Sequence, residues 1–137
     1  MNYLLDTNAC VALINDTSAG VRGRLQKALS GGAEIYISSV VVFELWNGIS
    51  KSARQAFNEQ RLEAFLAGPV VSLPLEDGDA KVAGSIRAAL QASGTPIGAY
   101  DLLIAGQALA RQLTLVTAHV SEFSRVKGLS WQDWAKS

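Results

Sequence analysis

Three carboxylates lie in apolar stretches of the sequence, where an unpaired negative charge is costly. Asp6 directly follows Tyr3–Leu5, Glu44 interrupts a run of valine, phenylalanine, leucine and tryptophan, and Asp101 precedes Leu102–Ala105. Removing an ionised carboxylate from water costs several kcal/mol unless the group is paired or binds a metal ion. No lysine or arginine stands beside any of the three. Since Mg²⁺ and Mn²⁺ prefer oxygen ligands, the three acids predict a divalent-metal site if the fold brings them together.

Each acid also has an ordinary structural explanation. Asp6 could be a turn residue or accept hydrogen bonds from the helix that follows, and Asp101 could cap a helix. Glu44 could face solvent on the same side of its helix as Asn47 and Lys51. Taken singly, these explanations are at least as good as a metal-binding role. Taken together they are weaker, because an α/β sheet would point all three acids toward one cleft.

Short apolar strands alternate with helical segments along the whole chain. The predicted strands are 3–5, 34–38, 70–73 and 113–117. The predicted helices are 9–14, 21–29, 40–46, 52–66, 76–92 and 100–112. A loop over 118–123 follows the last strand, and a short final helix is predicted to pack Trp131 and Trp134 inward. This alternation predicts a single α/β domain over residues 1–137, a three-layer sandwich with a mostly parallel sheet of four to five strands. Ligands of such sheets bind beyond the carboxyl ends of the strands, where Asp6 and Thr117–His119 lie.

The composition excludes several classes of protein. With 137 residues, 49% of them hydrophobic, the chain can bury a core without disulfides. Twelve basic residues balance twelve acids, so binding of nucleic acid by bulk positive charge is not expected. The single cysteine, Cys10, excludes an internal disulfide. No apolar run is long enough to suggest a membrane helix, and no leader suggests a signal peptide. We therefore expect a cytoplasmic protein. The acids at 16, 59, 63, 76, 77, 79 and 133 are expected in solvent.

An ordered set of motifs resembles a known family. The motifs are Leu5-Asp6-Thr7-Asn8, Ser38-Ser39-Val40 through Glu44 to Gly48, Pro96 through Asp101 to Ala105, Leu115-Val116-Thr117, Glu122 through Val126, Gly128-Leu129 and Trp134. Asp-Thr-Asn alone is a weak signal, but the ordered set spans essentially the whole chain. It resembles the PIN-domain ribonucleases and, more narrowly, the VapC-type toxins of bacterial toxin–antitoxin modules.

The resemblance implies a specific activity. Asp6, Glu44 and Asp101 match the family's three invariant acids, which hold one or two Mg²⁺ or Mn²⁺ ions. The implied reaction is metal-assisted hydrolysis of RNA phosphodiester bonds, leaving 5′-phosphate and 3′-hydroxyl ends. The implied partners are a structured RNA such as tRNA or ribosomal RNA, a small protein antitoxin that blocks the cleft, and a second copy of the chain in a homodimer. The single histidine agrees, because metal-free acid–base cleavage would use a histidine pair.

One position departs from the family pattern. Two residues after Thr117 the family usually carries Asp, or Asn in many toxins, and this chain carries His119. His119 could be a neutral imidazole that reaches the metal, a charged contact to a substrate phosphate, or a loop residue of a domain that has lost the fourth function. The first role predicts a bias toward Mn²⁺, which imidazole suits better than Mg²⁺. Glu122, close by in sequence, could supply an outer carboxylate.

Three polar residues near the acids are candidates for orienting them. Thr7, Asn8 and Ser39 could hydrogen-bond the carboxylates from behind. Helix capping is the alternative for each: Thr7 or Asn8 would cap the helix after the first strand, and Ser38 or Ser39 the helix after the second.

Two other functions stay open from the residues alone. A catalytically impaired PIN fold that only binds RNA or protein is favoured by His119 and opposed by the intact acids. A phosphatase of the haloacid dehalogenase type would need Asp-x-Asp after the first strand, where Asn8 replaces the second acid.

Overall fold

The computed structural model describes residues 1–136 and builds them around one parallel sheet. The strands are β1 (Tyr3–Leu5), β2 (Ile35–Ser38), β3 (Val71–Leu73), β4 (Thr114–Val116) and β5 (Trp131–Gln132), in the spatial order β3-β2-β1-β4-β5. Every neighbouring pair runs parallel. The predicted parallel α/β sheet is therefore confirmed, with five strands.

Helices connect these strands and cover the sheet. Within residues 1–136 they are α1 (Thr7–Asn15), α2 (Ala19–Ser30), α3 (Ser39–Ser50), α4 (Gln55–Leu66), α5 (Asp77–Ala92), α6 (Ala99–Ala110) and α7 (Val120–Phe123), followed by a 3₁₀ turn over Trp134–Lys136. Adjacent strand residues point to opposite faces, and Leu4 and Leu5 of β1 are both fully buried, as are Leu115 and Val116 of β4. Both faces of the sheet are thus covered, which gives the predicted three layers. No helix in this described part has the length and apolar composition needed to cross a membrane.

The strand order places a crevice at the centre of the sheet. From β1 the chain moves outward through β2 and β3, then crosses back to β4 and β5 on the other side of β1. Parallel sheets bind ligands beyond the carboxyl ends of the strands where the order reverses. Asp6 leaves β1 at this point, with its backbone N–H donating to the carbonyl of Val116 at 3.0 Å, and Thr117 leaves β4 beside it.

The chain beyond β4 differs from its prediction. The predicted loop over 118–123 contains α7, and the predicted helix around the two tryptophans is instead β5 followed by a 3₁₀ turn. Two backbone hydrogen bonds, from Leu115 to Ser130 and from Thr117 to Gln132, align β5 with β4. Trp134 is buried against Tyr3, with ring centroids 5.1 Å apart, but Trp131 remains 37% exposed, so only one tryptophan packs inward as predicted.

Helix α4 begins three residues later than predicted, at Gln55 instead of Ser52. The Ser52 hydroxyl accepts a hydrogen bond from the Arg54 backbone N–H at 3.1 Å and another from the Asn58 side chain. These contacts fix a turn ahead of the helix, because short polar side chains compete with helical backbone bonding.

Asp79 is a buried acid, although its sequence neighbourhood predicts a solvent-exposed one. It is 3% exposed at the start of α5, and one oxygen accepts from the Glu76 backbone N–H at 2.9 Å. Arg111, beyond the end of α6, donates to both carboxylate oxygens at 3.1 and 3.0 Å and to Glu76 at 2.7 Å. Burial alone would raise the pKa of Asp79, but these donors outweigh it and hold that pKa below its usual value. The group locks α5 to the end of α6.

The close approach of α5 and α6 leads to a stability prediction at Gly106. A Cβ on Gly106 would lie 2.6 Å from the Ala83 Cβ, so Gly106→Ala forces the helices apart. We expect a loss of about 1–3 kcal/mol in the free energy of unfolding, measured by urea denaturation. Gly84→Ala is the control, since no atom lies within 4 Å of its new Cβ. Equal stability of the two variants would contradict this packing.

Candidate active site

The structure brings the three acids to one edge of the sheet. Asp6 follows β1 directly, Glu44 lies in the second turn of α3, and Asp101 lies in the first turn of α6. They are close enough to repel one another, since the charge of Glu44 raises the pKa of both aspartates and the charge of Asp6 raises that of Asp101. Residues separated by 38 and 57 positions in the chain therefore share one electrostatic environment.

Asp6 is the most deeply buried of the three, at 4% exposure. Its Oδ1 accepts a hydrogen bond from the Ala9 backbone N–H at 2.8 Å, so Asp6 itself caps α1. The prediction that Thr7 or Asn8 caps this helix is therefore wrong. Strand β1 ends at Leu5, and Asp6 follows it in extended backbone at the N-cap position of α1. Burial raises the pKa of Asp6 more strongly than the Thr117 hydroxyl, the Ala9 amide and His119 lower it.

Asp101 does not cap its helix. Gly98 occupies the N-cap position of α6, and Asp101 lies three residues further on. Burial is the largest cause of its raised pKa; His119 lowers that pKa, while Glu44, Asp6 and Glu122 raise it. Neighbouring carboxylates that disfavour one another's negative charge would be stabilised by a bound cation.

Thr7 contacts the third acid directly. Its hydroxyl donates to Glu44 Oε1 at 2.6 Å and so joins the first turn of α1 to α3. Ser38 is the cap of α3, one of the two predicted alternatives, and its hydroxyl accepts from the Val40 backbone N–H. Ser39 has a different partner: its hydroxyl accepts from the Leu75 backbone N–H at 3.0 Å, which anchors α3 to the segment after β3.

His119 lies beside the acids and is held from two sides. Its backbone N–H donates to the Thr117 hydroxyl at 2.9 Å, and its Nε2 lies 2.7 Å from Asn8 Nδ2. The Asn8 amide and the His119 imidazole are therefore joined by a side-chain hydrogen bond. This contact ties the start of α1 to the loop after β4.

Thr117 is a site residue that the sequence does not single out. Its buried side chain lowers the pKa of Asp6 by hydrogen bonding and accepts the backbone N–H of His119. Both contacts depend on β4 lying directly beside β1. The sequence shows only that Thr117 ends a buried strand, and its contacts cannot be predicted until the strand order is known.

The chemistry of the three acids, all of them oxygen donors, is the kind that a divalent cation prefers. The ion pairs formed among residues 1–136 join Arg22 to Asp16 and Arg111 to Glu76 and Asp79, and none involves the three site acids. As the side chains stand in residues 1–136, no group of three or more carboxylate, imidazole or thiol side chains is close enough together to hold a metal ion. No lysine or arginine pairs with these acids in the same residues, and a hard cation would supply the charge that offsets their repulsion.

Comparison with known proteins identifies the family. The model of the PIN domain matches residues 3–129. Ribonuclease VapC2 of Rickettsia felis is 39% identical over 99% of this chain and 100% of its own length. The tRNA(fMet)-specific endonuclease VapC of Shigella flexneri is 38% identical over 98% of this chain and 99% of its own. The chain belongs to the PIN-domain family and, within it, to the VapC ribonucleases, which confirms the resemblance in the sequence.

Solved structures agree with this assignment. The crystal structure of VapBC2 from Rickettsia felis, bound to a DNA fragment from its promoter, contains a chain that superposes with a TM-score of 0.91 at 35% identity. It covers 98% of this chain and 99% of that one. DNA-bound VapBC from Salmonella typhimurium gives a TM-score of 0.89, also at 35% identity and with 98% of each chain covered.

Proposed function

We propose that this chain is a metal-dependent endoribonuclease, the toxin of a toxin–antitoxin module, active in the cytoplasm as a single domain over residues 1–137. The observation that carries the proposal is the meeting of Asp6, Glu44 and Asp101 beyond the carboxyl end of β1, without a basic partner among residues 1–136. The VapC names of its relatives support ribonuclease activity. The tRNA(fMet)-specific relatives make a structured tRNA the first substrate to test.

The three acids would hold Mg²⁺ or Mn²⁺. When bound, such an ion lowers the pKa of a water nucleophile and offsets the charge that develops on the phosphate. Thr7 holds the Glu44 carboxylate in place through its hydroxyl, and Thr117 does the same for Asp6. Attack of water on the phosphorus, with cleavage of the bond to the 3′-oxygen and its protonation, would leave a 5′-phosphate and a 3′-hydroxyl.

The geometry at His119 favours a contact to substrate. Asn8 occupies Nε2, which leaves Nδ1 as the ring nitrogen for a contact outside the chain. We propose that Nδ1–H donates to a phosphate oxygen of the RNA. On this account His119 itself creates no preference for Mn²⁺ over Mg²⁺. Glu122, whose charge reaches Asp101, adds an outer negative charge to the cation site.

A pocket of about 340 Å³ beside the acids supports a protein partner. Thr7 and Glu44 are among its lining residues, and α1, α3 and α4 also line it with apolar side chains that include Leu45, Ile49 and Leu62. An antitoxin segment with an apolar stretch would fill this pocket and block access to Glu44. The VapBC structures of relatives support a cognate antitoxin, and a homodimer remains part of the proposal.

The test is cleavage of initiator tRNA by protein purified free of antitoxin, with Mg²⁺, with Mn²⁺ and with chelator. Elongator methionine tRNA is the matched control, and total cellular RNA shows whether other targets exist. We expect one or a few cuts in the initiator tRNA that require metal and leave 5′-phosphate ends. Cyclic 2′,3′-phosphate ends would contradict metal-assisted hydrolysis by water. No cut in any RNA would favour the alternative of an impaired PIN fold that only binds RNA or protein.

A further inference from the structure

Two exposed aromatic rings lie beside the acids. Phe43 is 53% exposed on α3, and Tyr100 is 48% exposed on α6. Their ring centroids are 5.5 Å apart with an interplanar angle of 63°, an edge-to-face contact that joins the two helices. Phe43 immediately precedes Glu44 and Tyr100 immediately precedes Asp101, so the pair lies at the turns that carry two of the three acids.

Packing within the chain does not account for this aromatic pair. Each ring leaves about half of its surface in water, and an edge-to-face contact is worth only about 0.5–1.5 kcal/mol beyond the area it buries. An apolar surface that stays open beside a charged site marks an interaction surface. About half of the surface of each residue is thus open to contact with a flat apolar group.

The charge of the site calls for an attraction that is not ionic. Twelve basic residues balance twelve acids in the whole chain, and the cleft itself contains several carboxylates. Phosphate contacts alone therefore give limited affinity for RNA. Stacking on aromatic rings adds affinity without charge and tolerates any base, because every base has a π face.

We infer that Phe43 and Tyr100 form a stacking platform for an unpaired base next to the cleaved phosphate. The inference rests on the proposed ribonuclease function and deepens it by naming the part of the RNA that is recognised. Bases inside a duplex are already stacked, whereas bases in loops and bulges can be splayed onto an aromatic side chain.

Binding of a hairpin RNA in chelator tests this platform without cleavage. Loop positions carry 2-aminopurine one at a time, and affinity is measured by fluorescence anisotropy. We expect Phe43→Leu and Tyr100→Leu each to weaken binding about tenfold, about 1.4 kcal/mol, and to abolish quenching at one loop position. The controls Phe43→Tyr and Tyr100→Phe keep the rings and should bind and quench like the unaltered chain. Circular dichroism and the thermal midpoint confirm that each variant is folded.

Two results would overturn the inference. One is unchanged affinity and quenching in both leucine variants. The other is a shift in sedimentation from dimer to monomer with RNA affinity retained, which would make the rings a contact between two copies of the chain. Because the assay contains no metal, failure of the proposed function looks different: the RNA would bind and quench through the rings, yet no metal would induce a cut.

Discussion

Asp6→Asn is expected to abolish RNA cleavage and, at the same time, to stabilise the folded chain. The substitution removes the most buried carboxylate of the proposed cation site, and the loss of metal assistance should slow cleavage about 10³-fold or more. Asparagine keeps the oxygen that accepts the Ala9 backbone N–H, so α1 retains its cap. It also removes a charge that burial disfavours, which is why stability should rise.

The pH dependence of stability follows from the raised pKa of Asp6. The folded chain holds the Asp6 proton more tightly than the unfolded chain, whose carboxyl group titrates near 3.8. Lowering the pH from neutral through the folded-state pKa toward 3.8 therefore removes a cost of folding, and raising the pH restores it. Asp6→Asn should lack this part of the pH dependence. Asp101 titrates in the same direction and loses the charge of Asp6 in this variant, so the difference between the two proteins reports Asp6 together with its coupling to Asp101.

Urea denaturation in chelator, at neutral and at mildly acidic pH, measures this effect. The control is Asp6→Ala, which loses the cap as well as the charge and should be about 1 kcal/mol less stable than Asp6→Asn. If Asp6→Asn is less stable than the unaltered chain at neutral pH, other groups in the protein already offset the cost of burying the Asp6 charge. That result would remove the main reason for a cation at this site.

Arg111→Ala is expected to give the largest loss of stability, about 2–3 kcal/mol in the free energy of unfolding. It leaves the buried Asp79 carboxylate without its bidentate partner and frees the end of α6 from the start of α5. The stability of Arg111→Lys should fall between that of the unaltered chain and that of Arg111→Ala, because an ammonium cannot contact both oxygens as the guanidinium does. Asp79→Asn in the Arg111→Ala background should recover part of the loss, since asparagine removes the uncompensated charge.

The pH dependence of this pair has the opposite sign to that of Asp6. The folded chain binds the Asp79 proton more weakly than the unfolded chain does, because its pKa is lowered. The stability from the pair is present above 3.8 and is lost as the pH falls through the folded-state value. The check is the urea midpoint measured across this pH range, which should change less with pH in Arg111→Ala than in the unaltered chain. A loss below about 0.5 kcal/mol in Arg111→Ala would place the pair with ordinary surface ion pairs.

Sequence alone predicts the central fold because the local signals there agree. The β1, β2 and β4 strands are apolar runs with turn or helix signals at their ends, and apolar residues recur at helical spacing in α2 and α5. The three acids stand out for the same reason, since a charge inside an apolar run breaks a pattern that is otherwise consistent. Strand β5, only two residues long, has no periodicity of its own and exists because β4 offers it an open edge.

The contacts that sequence reasoning misses are those that join distant segments. Asp79 has polar neighbours in sequence, and its partner Arg111 lies 32 residues away beyond the next helix. The role of Thr117 depends on β4 lying beside β1, which no local pattern specifies. The Asn8–His119 hydrogen bond spans 111 residues for the same reason. Apolar neighbours in sequence single out the three acids, and only the fold shows which side chains contact them.

The central claim is that Asp6, Glu44 and Asp101 hold one divalent cation, and crystals grown with Mn²⁺ test it most directly. Anomalous scattering at the manganese edge locates the ion independently of any assumption about the ligands. We expect an anomalous peak within direct ligand distance of carboxylate oxygens from all three residues, and no peak there in Asp6→Asn. Folded protein at millimolar Mn²⁺ with no peak among these acids would contradict it.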